Sequence, residues 1–313
     1  MTYDLITMGR ISVDLYPEQV GVGLEDVQTF AKSVGGSATN VAVAAARLGV
    51  ERAAVITKVG DDPFGRYLRR DLERFGVDPR FVATHPSLRT PLAFCEIHPP
   101  DHFPLLFYRE PTAPDLTLAP DELDLDAIRA ARVFWTTGTG LSAEPSRAAT
   151  LAALAARGEG ITIHDLDHRP MFWPDPDEAG RQARAALAHA TVAVGNRDEV
   201  EVAVGTRDPV EASQRLLDLG VRLAIVKRGP EGVLARTPDE LVEVEPVRLE
   251  PLCGLGAGDA FGGALVHGLL HGWSVERTLR SANAAGALVA SRLACADAMP
   301  ELHEVEELLE VRA

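Results

Sequence analysis

The sequence predicts an α/β fold in which a mainly parallel central sheet is covered by helices on both faces. Short β-type runs alternate with Ala- and Leu-rich helical patterns through most of the 313 residues, and this alternation is typical of parallel sheets. Two regions, residues 12–34 and 88–113, break the alternation with extended patterns of their own. No internal repeat, low-complexity tract or linker divides the chain, so we expect a single domain over residues 1–313.

Each predicted element follows from a local pattern, and several of the helices begin at Pro, Ser or Thr. The predicted strands of the central sheet are residues 4–9, 53–58, 133–137, 161–165, 191–194 and 223–228. The predicted helices are Thr39–Leu48, Pro63–Phe75, Pro145–Arg157, Pro209–Leu219, Gly258–His271, Ser274–Arg292 and Glu301–Val311. A late antiparallel set is predicted at Arg222–Val226, Gly232–Arg236 and Leu241–Val244.

The two regions that break the alternation predict strands outside the main sheet. Residues 92–97 and 105–109 have an extended pattern, and the turn-rich segment 99–104 separates them, so we expect a β-hairpin there. Together with residues 12–34, this hairpin is predicted to form a small lid over a binding site.

Composition limits the class of partner. The chain has 31 basic and 46 acidic residues, a net charge of −15, which disfavours nucleic acid and anionic membrane surfaces as partners. The three cysteines, Cys95, Cys253 and Cys295, are far apart and form no C-x-x-C pair, so neither a disulfide framework nor a cysteine zinc site is predicted. The sequence shows no export signal and no apolar run of membrane-spanning length, and we therefore expect a cytoplasmic protein.

A glycine-rich turn, residues 253–260, leads into an apolar helical run. The glycines at 254, 256 and 258 let backbone N–H groups turn inward without obstruction by a Cβ atom, and the N-terminus of the following helix faces the same point. The turn can therefore hold an anion beside the carboxylate of Asp259. Taken alone, an acid at this position is more commonly just an ordinary helix N-cap.

A second pair of glycines precedes the first predicted helix. Gly35 and Gly36 lead to Asn40, whose amide can both donate and accept hydrogen bonds, as sugar hydroxyls require. A tight turn with Thr39 or Asn40 as helix cap explains this segment equally well. Asp14 follows the first strand, where open α/β sheets place ligand-facing side chains, although a lone acid there is most often a solvated loop residue.

Three later segments have the chemistry of an anion or metal site. Asn196 and Glu199 share a helical face after a strand, which suits Mg²⁺ bound through water, although on their own they favour a capping box. The segment 227–232 supplies Lys227 and backbone turns for a phosphate, and a plain β-turn explains it as well. The segment 164–169 lacks the spacing of a transition-metal site and is predicted to be a strand-end loop, with Arg169 available for an anionic group.

In chain order, Gly35–Asn40, Asn196-x-x-Glu199 and Gly256–Asp259 resemble the ribokinase-like (PfkB) carbohydrate kinases over nearly the whole length. Segments 9–16, 94–101, 107–109 and 295–300 are similar to members of that family that act on a keto-deoxy sugar acid of myo-inositol catabolism. The resemblance implies a ribokinase-like three-layer α/β/α sandwich with a small β lid. It also implies ATP and Mg²⁺ as cofactors, and phosphoryl transfer to a primary hydroxyl of 5-dehydro-2-deoxy-D-gluconate.

The resemblance implies a role for each candidate residue. Asp259 would be the base, and the backbone of Gly256, Ala257 and Gly258 the anion hole, because phosphoryl transfer depends on alignment and on stabilising the charge of the phosphoryl oxygens. The residues implied for the sugar hydroxyls are Asp14, Gly35, Gly36 and Asn40, with Arg109 and Arg169 for the acidic group. Asn196 and Glu199 are implied for Mg²⁺, and Lys227, Gly229, Gly232 and Asn283 for the nucleotide.

One departure from the family concerns a monovalent cation. Many members have Asp-Thr before the glycine-rich turn as part of such a site, whereas this chain has Cys253-Gly254-Leu255, so activation by potassium is uncertain. Cys253 is predicted to be a buried residue without a catalytic role.

Two other functions remain open at the level of the sequence. A 2-keto-3-deoxygluconate kinase would also need an arginine for a carboxylate. A noncatalytic sugar-binding regulator would keep the fold, but Asp259 beside an intact glycine-rich turn argues against it. Related kinases often pair through their lids, so a homodimer is expected.

Overall fold

A ten-stranded sheet forms the centre of the protein. The computed structural model describes residues 2–158 and 160–311. The central strands are β1 (Leu5–Met8), β4 (Ala53–Gly60), β5 (Val77–Asp78), β6 (Val82–His85), β9 (Val133–Thr137), β10 (Ile161–Asp165), β11 (Val192–Asn196), β12 (Leu223–Lys227), β13 (Val233–Arg236) and β14 (Leu241–Val244). They lie in the order β14-β13-β12-β11-β10-β9-β1-β4-β5, with β6 paired to β4.

Most of this sheet is parallel, as the sequence predicts. β12 pairs in parallel with β11 and antiparallel with β13, and β13 pairs antiparallel with β14. The late antiparallel set is therefore present as an edge of the central sheet. The two-residue strand β5 and the neighbouring β6 were not predicted, because runs this short carry little periodic signal.

The helices are α1 (Ser37–Arg47), α2 (Pro63–Arg74), α3 (Leu125–Ala130), α4 (Ser146–Ala156), α5 (Pro176–Leu187), α6 (Arg197–Val204), α7 (Pro209–Asp218), α8 (Ala257–Leu270), α9 (Val275–Ala290) and α10 (Leu302–Glu310). The seven predicted helices are present within two residues at each end. α6 is the helix implied by the shared face of Asn196 and Glu199, whereas α3 and α5 were not predicted. α3 has only six residues, and the buried face of α5 is mostly Ala and Gly, ending at Leu187, which gives weak hydrophobic periodicity. Asp175 caps α5 by accepting from the Glu178 N–H at 2.7 Å.

The central sheet is covered on both faces. Successive strand residues point to opposite sides, so that Leu5 packs with α1, α8 and α9 while Ile6 packs with α4. A third apolar cluster joins α5, α6 and α7 to β11 and β12. This arrangement is the three-layer α/β/α sandwich that the sequence predicts.

A second, four-stranded sheet is formed by β2 (Ser12–Pro17), β3 (Phe30–Gly35), β7 (Leu92–Cys95) and β8 (Leu105–Tyr108), in the order β3-β2-β7-β8. β7 and β8 are antiparallel, so the predicted hairpin is present. β2 pairs in parallel with β7 and antiparallel with β3. Because β1 and β2 are separated by three residues, this second sheet begins at the carboxyl edge of the central one.

None of the helices in residues 2–158 and 160–311 has the length and apolar character needed to cross a membrane.

Candidate active site

The candidate site lies where parallel strands end side by side. Lys227 is the last residue of β12 and Asn196 the last of β11, while Asp165 ends β10. Because β10, β11 and β12 are adjacent and parallel, their carboxyl ends meet at one edge, the usual binding edge of an open α/β sheet. The N-termini of α1 and α8 contribute Asn40 and Asp259 to the same place.

The glycine-rich turn forms the N-terminus of α8. Gly256 is the N-cap, with a left-handed backbone at φ 82°, and the helix starts at Ala257. A Cβ atom on Gly256 would lie 2.6 Å from the Cys295 Sγ, so both the conformation and the close contact require glycine. The first N–H groups of a helix have no acceptor within it, and those of this turn are the predicted anion hole.

Asp259 lies in the first turn of α8 and is held from α1. The Asn40 Nδ2 donates a hydrogen bond to the Asp259 Oδ2 at 2.9 Å. Burial raises the pKa of Asp259 to about 6, and the nearby Asp167 carboxylate adds to this, while Asn40 and the guanidinium of Arg10 oppose it. The carboxylate is therefore ionised at neutral pH but basic enough to accept a proton. It does not act as the N-cap, since Gly256 has that position.

The residues predicted for sugar hydroxyls lie together beside Asp259. Asp14 is on β2, and its Oδ1 accepts from the Ser12 hydroxyl at 2.6 Å. A Cβ atom on Gly35 would lie 1.9 Å from the same Oδ1, so glycine is what allows this carboxylate its place. Asn40 is buried, and its Oδ1 has no hydrogen-bond partner within the described part of the chain. It is therefore an acceptor that a hydroxyl could satisfy.

Arg109 is already paired within the protein. Its Nη2 donates to Asp115 Oδ1 at 2.6 Å, and both side chains are buried. The other Asp115 oxygen accepts from the Ile11 N–H at 3.0 Å. The Arg109 Nη1 is buried and without a hydrogen-bond partner among the residues described, so one arm of the guanidinium fork remains available. The Phe172 ring lies against the same guanidinium, with 5.4 Å between the Arg109 Cζ and the centroid of the ring.

Arg169 and Arg10 share one carboxylate. Arg169 lies 3.0 Å and Arg10 3.8 Å from the Asp167 carboxylate oxygens, and Asp167 has a left-handed backbone at φ 29°, unusual for a residue with a side chain. The neighbouring guanidiniums hold the pKa of Asp167 below its usual range despite its burial. Arg10 is a site residue for which the sequence predicts no role. Like Asp14, it follows the first strand, where open α/β sheets place ligand-facing side chains. This position is the feature of the sequence that could have indicated Arg10.

Asn196 and Glu199 form a capping box at the start of α6. The Asn196 Oδ1 accepts from the Glu199 N–H at 3.0 Å, and the Glu199 Oε2 accepts from the Asn196 N–H at 2.7 Å. The other Glu199 oxygen lies 3.7 Å from Arg169. No group of three or more His, Cys, Asp or Glu residues in 2–158 and 160–311 is arranged to hold a metal ion directly. These residues fit a Mg²⁺ that keeps its own water molecules better than one bound directly.

A cavity of about 890 Å³ lies against the glycine-rich turn. It is lined by all four residues predicted for the nucleotide, Lys227, Gly229, Gly232 and Asn283, and also by Ala257 and Gly258 of the turn. Pro100, Asp101 and Phe103 from the loop between β7 and β8 close one side. The cavity therefore connects the second sheet, the turn and the end of β12.

Lys227 reaches from β12 to the turn. Its Nζ lies 3.3 Å from the position that a Cβ atom on Gly258 would take. Burial works against the charged form, yet the neighbouring carboxylate of Asp165 keeps the pKa of Lys227 above its usual value. Burial likewise raises the pKa of Asp165, with Lys227 opposing. A cation is thus fixed at the edge of the cavity, next to the predicted anion hole.

The side chains before the turn do not match the Asp-Thr cation pattern. Cys253 is fully buried in an apolar cluster with Tyr16 and Cys295, and Leu255 packs against that cluster. Burial raises the pKa of Cys253, so its thiol is un-ionised at neutral pH. Potassium prefers oxygen ligands, and the side chains at 253–255 supply none.

Comparison with known proteins finds related sequences and structures over nearly the whole chain. Residues 3–302 match the model of the pfkB family carbohydrate kinases. The 5-dehydro-2-deoxygluconokinases of Geobacillus kaustophilus and Listeria monocytogenes are each 33% identical to the chain over 98% of its length, and the match covers 93% and 96% of their own. A putative ribokinase II of E. coli, solved in complex with ATP and Mg²⁺, superposes with a TM-score of 0.90 at 25% identity, over 99% of each chain.

A family match across nearly the whole chain shows the kind of reaction as well as the fold. The enzyme is a phosphotransferase that acts on a hydroxyl group of a carbohydrate, with ATP and Mg²⁺. The chain belongs to the pfkB family of carbohydrate kinases.

Proposed function

We propose that this enzyme transfers the γ-phosphoryl group of ATP to a primary hydroxyl of 5-dehydro-2-deoxy-D-gluconate. The observation that carries the proposal is the place of Asp259. It accepts a hydrogen bond from Asn40, one of the groups proposed for sugar hydroxyls, and it follows Ala257 and Gly258, which line a cavity of about 890 Å³. A carboxylate in this place can accept a proton from one substrate while the turn faces the phosphate of the other.

In the proposed mechanism, Asp14 and Asn40 hold the sugar so that its terminal hydroxyl points at Asp259. The Asp259 carboxylate accepts the hydroxyl proton as the oxygen attacks the γ-phosphorus. The N–H groups at the start of α8 and the Lys227 ammonium stabilise the negative charge on the phosphoryl oxygens. Mg²⁺, held through water near Asn196 and Glu199, would neutralise further phosphate charge.

An acidic substrate is supported by the arginines around the sugar pocket. Arg10, Arg109 and Arg169 are largely buried there, in a protein with a net charge of −15. Each of them is paired with a carboxylate of the protein, but the Arg109 Nη1 is buried without a hydrogen-bond partner among the residues described. This arm of the guanidinium could bind a substrate carboxylate. The named relatives act on a sugar acid according to their names, which supports the same choice.

Comparative kinetics test the substrate. We expect kcat/KM with ATP-Mg²⁺ to be at least about tenfold higher for 5-dehydro-2-deoxygluconate than for 2-keto-3-deoxygluconate, because the two acids place the keto group differently against fixed hydrogen-bonding groups. Equal or faster turnover of 2-keto-3-deoxygluconate would reject the substrate. Tight sugar binding without any turnover would favour the noncatalytic regulator instead.

Arg109→Lys tests the carboxylate contact. Lysine keeps the charge opposite Asp115 but loses the fork, so we expect the KM for the sugar acid to rise about tenfold, with little change for ATP. With an analogue that has an alcohol in place of the carboxylate, wild type and Arg109→Lys should have about the same KM, because the contact is then absent from both. Arg129→Lys, at an exposed arginine paired with Asp126, is the matched control. A KM that does not change would show that Arg109 serves only to pair with Asp115.

We also propose that the second sheet acts as a lid and pairs two subunits. Leu106 and Tyr108 on β8 are exposed, at 47% and 60% of their surface. The Phe94 ring packs edge-on against the rings of Phe30 and Tyr108, with 5.4 Å between ring centroids in each pair. Exposed aromatic patches of this kind favour association.

Sedimentation experiments test the pairing of subunits. Tyr108→Glu should give a monomer, whereas Val210→Glu, at another exposed apolar residue, should remain a dimer. A monomeric wild type would reject the pairing.

A cytoplasmic location is part of the proposal. Cys95, Cys253 and Cys295 are free and buried, as expected of a protein that folds where thiols stay reduced.

A further inference from the structure

Three cysteines that are far apart in the sequence lie in one buried cluster. Cys95 from β7, Cys253 before the glycine-rich turn and Cys295 after α9 pack with Tyr16 and Ile97. The cluster fills the space between the second sheet and the turn. The proposed mechanism uses none of these side chains.

Cys295 contacts both of the parts that meet there. The Tyr16 hydroxyl, on β2, donates a hydrogen bond to the Cys295 Sγ at 2.8 Å. The same sulfur lies 2.6 Å from the position that a Cβ atom on Gly256 would take. The thiol is therefore packed directly on the residue that caps α8 and starts the predicted anion hole.

The segment that carries Cys295 is fixed at a second point and has a strained backbone. The Ser33 hydroxyl, on β3, donates to Asp297 Oδ2 at 2.7 Å. Ala294, next to Cys295, has φ 93°, a conformation that residues with a Cβ atom rarely adopt and that persists where the surroundings impose it. Two strands of the second sheet thus hold this segment against the turn.

The chemistry of the thiol points to a structural task in the site. Burial raises the pKa of Cys295 well above its usual value, and that of Tyr16 likewise. The thiol therefore stays neutral and is unsuited to nucleophilic attack. Its contributions are an acceptor for the Tyr16 hydroxyl and a surface for the Gly256 backbone.

We infer that Tyr16 and Cys295 are positioning residues that brace the glycine-rich turn from the second sheet. The Tyr16 hydroxyl fixes the thiol, and the thiol holds Gly256 in the conformation that directs the following N–H groups at the phosphate. Asp14 and Tyr16 are two residues apart on β2, so their side chains lie on the same face of the second sheet. A sugar held by Asp14 therefore acts on the strand that also carries the brace. The inference rests on the proposed function, because the brace serves phosphoryl transfer.

Steady-state kinetics of matched cysteine variants test the brace. We expect Cys295→Ala to lower kcat about tenfold while the KM for the sugar acid changes less than about threefold, because the turn is misaligned but the sugar groups remain. Cys295→Ser should restore most of the rate, since its hydroxyl can accept from Tyr16. Tyr16→Phe should match Cys295→Ala, and the double variant should lose no more than the larger single loss, as expected of residues acting as a unit.

Cys95→Ala is the matched control. Cys95 is buried in the same cluster. Within residues 2–158 and 160–311, its Sγ has a single hydrogen bond, a long one of 3.9 Å to the Leu15 carbonyl. Both alanine variants should lower the melting temperature, because each leaves a cavity, but only Cys295→Ala should lower kcat at temperatures where both are folded.

Equal kcat for Cys295→Ala and Cys95→Ala, or losses that multiply in the double variant, would overturn the inference. A wild type that is inactive on every sugar acid would reject the proposed function instead. The brace would then be judged by hydrogen exchange of the amides at 256–258. Faster exchange in Cys295→Ala than in Cys95→Ala would support it, and equal exchange would refute it.

Discussion

Replacing Asp259 with Asn is expected to lower kcat by about 10³-fold, because it removes the only proposed proton acceptor while keeping the shape of the side chain. The bond from Asn40 can remain, since the amide oxygen of the introduced asparagine would accept the hydrogen that Asp259 Oδ2 accepts at 2.9 Å. Binding of the sugar and of ATP, measured by calorimetry, should change little. Turnover within about tenfold of the wild type would exclude Asp259 as the base.

The pH dependence of the wild type gives an independent check on Asp259. The base must be ionised, and its pKa is raised to about 6, so kcat/KM should be constant near neutral pH and fall as the pH drops below that value. Asp259→Asn should lack this acid limb in its residual activity. A limb of the same shape in the variant would assign the titration to another group.

The same raised pKa affects stability. An acid whose pKa increases from 3.8 to about 6 on folding favours the folded state most at pH values below 3.8. That stabilisation is lost as the pH rises through about 6. Asp259→Asn avoids the loss, so above pH 6 its free energy of unfolding should exceed that of the wild type by about 1–3 kcal/mol. The difference should shrink in denaturant unfolding at pH 5, and a variant less stable at pH 7.5 would contradict the buried-charge explanation.

Replacing Gly35 with Ala is expected to raise the KM for the sugar about 100-fold. The added Cβ atom would lie 1.9 Å from the Asp14 Oδ1, so the carboxylate must leave the place from which it would hold a sugar hydroxyl. The KM for ATP should stay within about threefold, because the nucleotide cavity does not include Gly35.

Gly158→Ala is the control for this substitution, since a Cβ atom there meets no other heavy atom within 4 Å. Asp14→Asn should reproduce the rise in sugar KM without the steric change, which separates loss of the hydroxyl contact from misfolding. If Gly35→Ala folds and binds sugar normally, Asp14 has no part in sugar binding.

Local patterns account for the parts of the fold that were predicted well. The apolar runs of β1, β9 and β10 and the periodic faces of the predicted helices are properties of short stretches, so they can be counted along the chain. α5 escaped because Ala and Gly can be buried without giving a strong periodic signal. The glycine-rich turn was also a local signal, since closely spaced glycines before an apolar helix have few other uses.

No local sequence pattern indicates the contacts within the site. Arg109 was selected for a substrate carboxylate, but its pairing with Asp115 depends on how residues 114–117 fold back beside β1. Arg10 was passed over although it lies against Asp167, which is 157 positions away in the sequence. Charges at such separations become neighbours only when parallel strands align, so pairing and pKa are properties of the packed sheet.

The sequence by itself determined the α/β class, the second set of strands, the glycine-rich turn and the family. Each of these is encoded in residues close together or in the order of short motifs. The tertiary structure alone decided that Asn40 holds Asp259, that Gly35 makes room for Asp14, and that Tyr16 and Cys295 lie on Gly256. The reason is physical: hydrogen bonds and van der Waals contacts act over a few ångströms, and only the folded sheet brings residues more than 200 positions apart within that range.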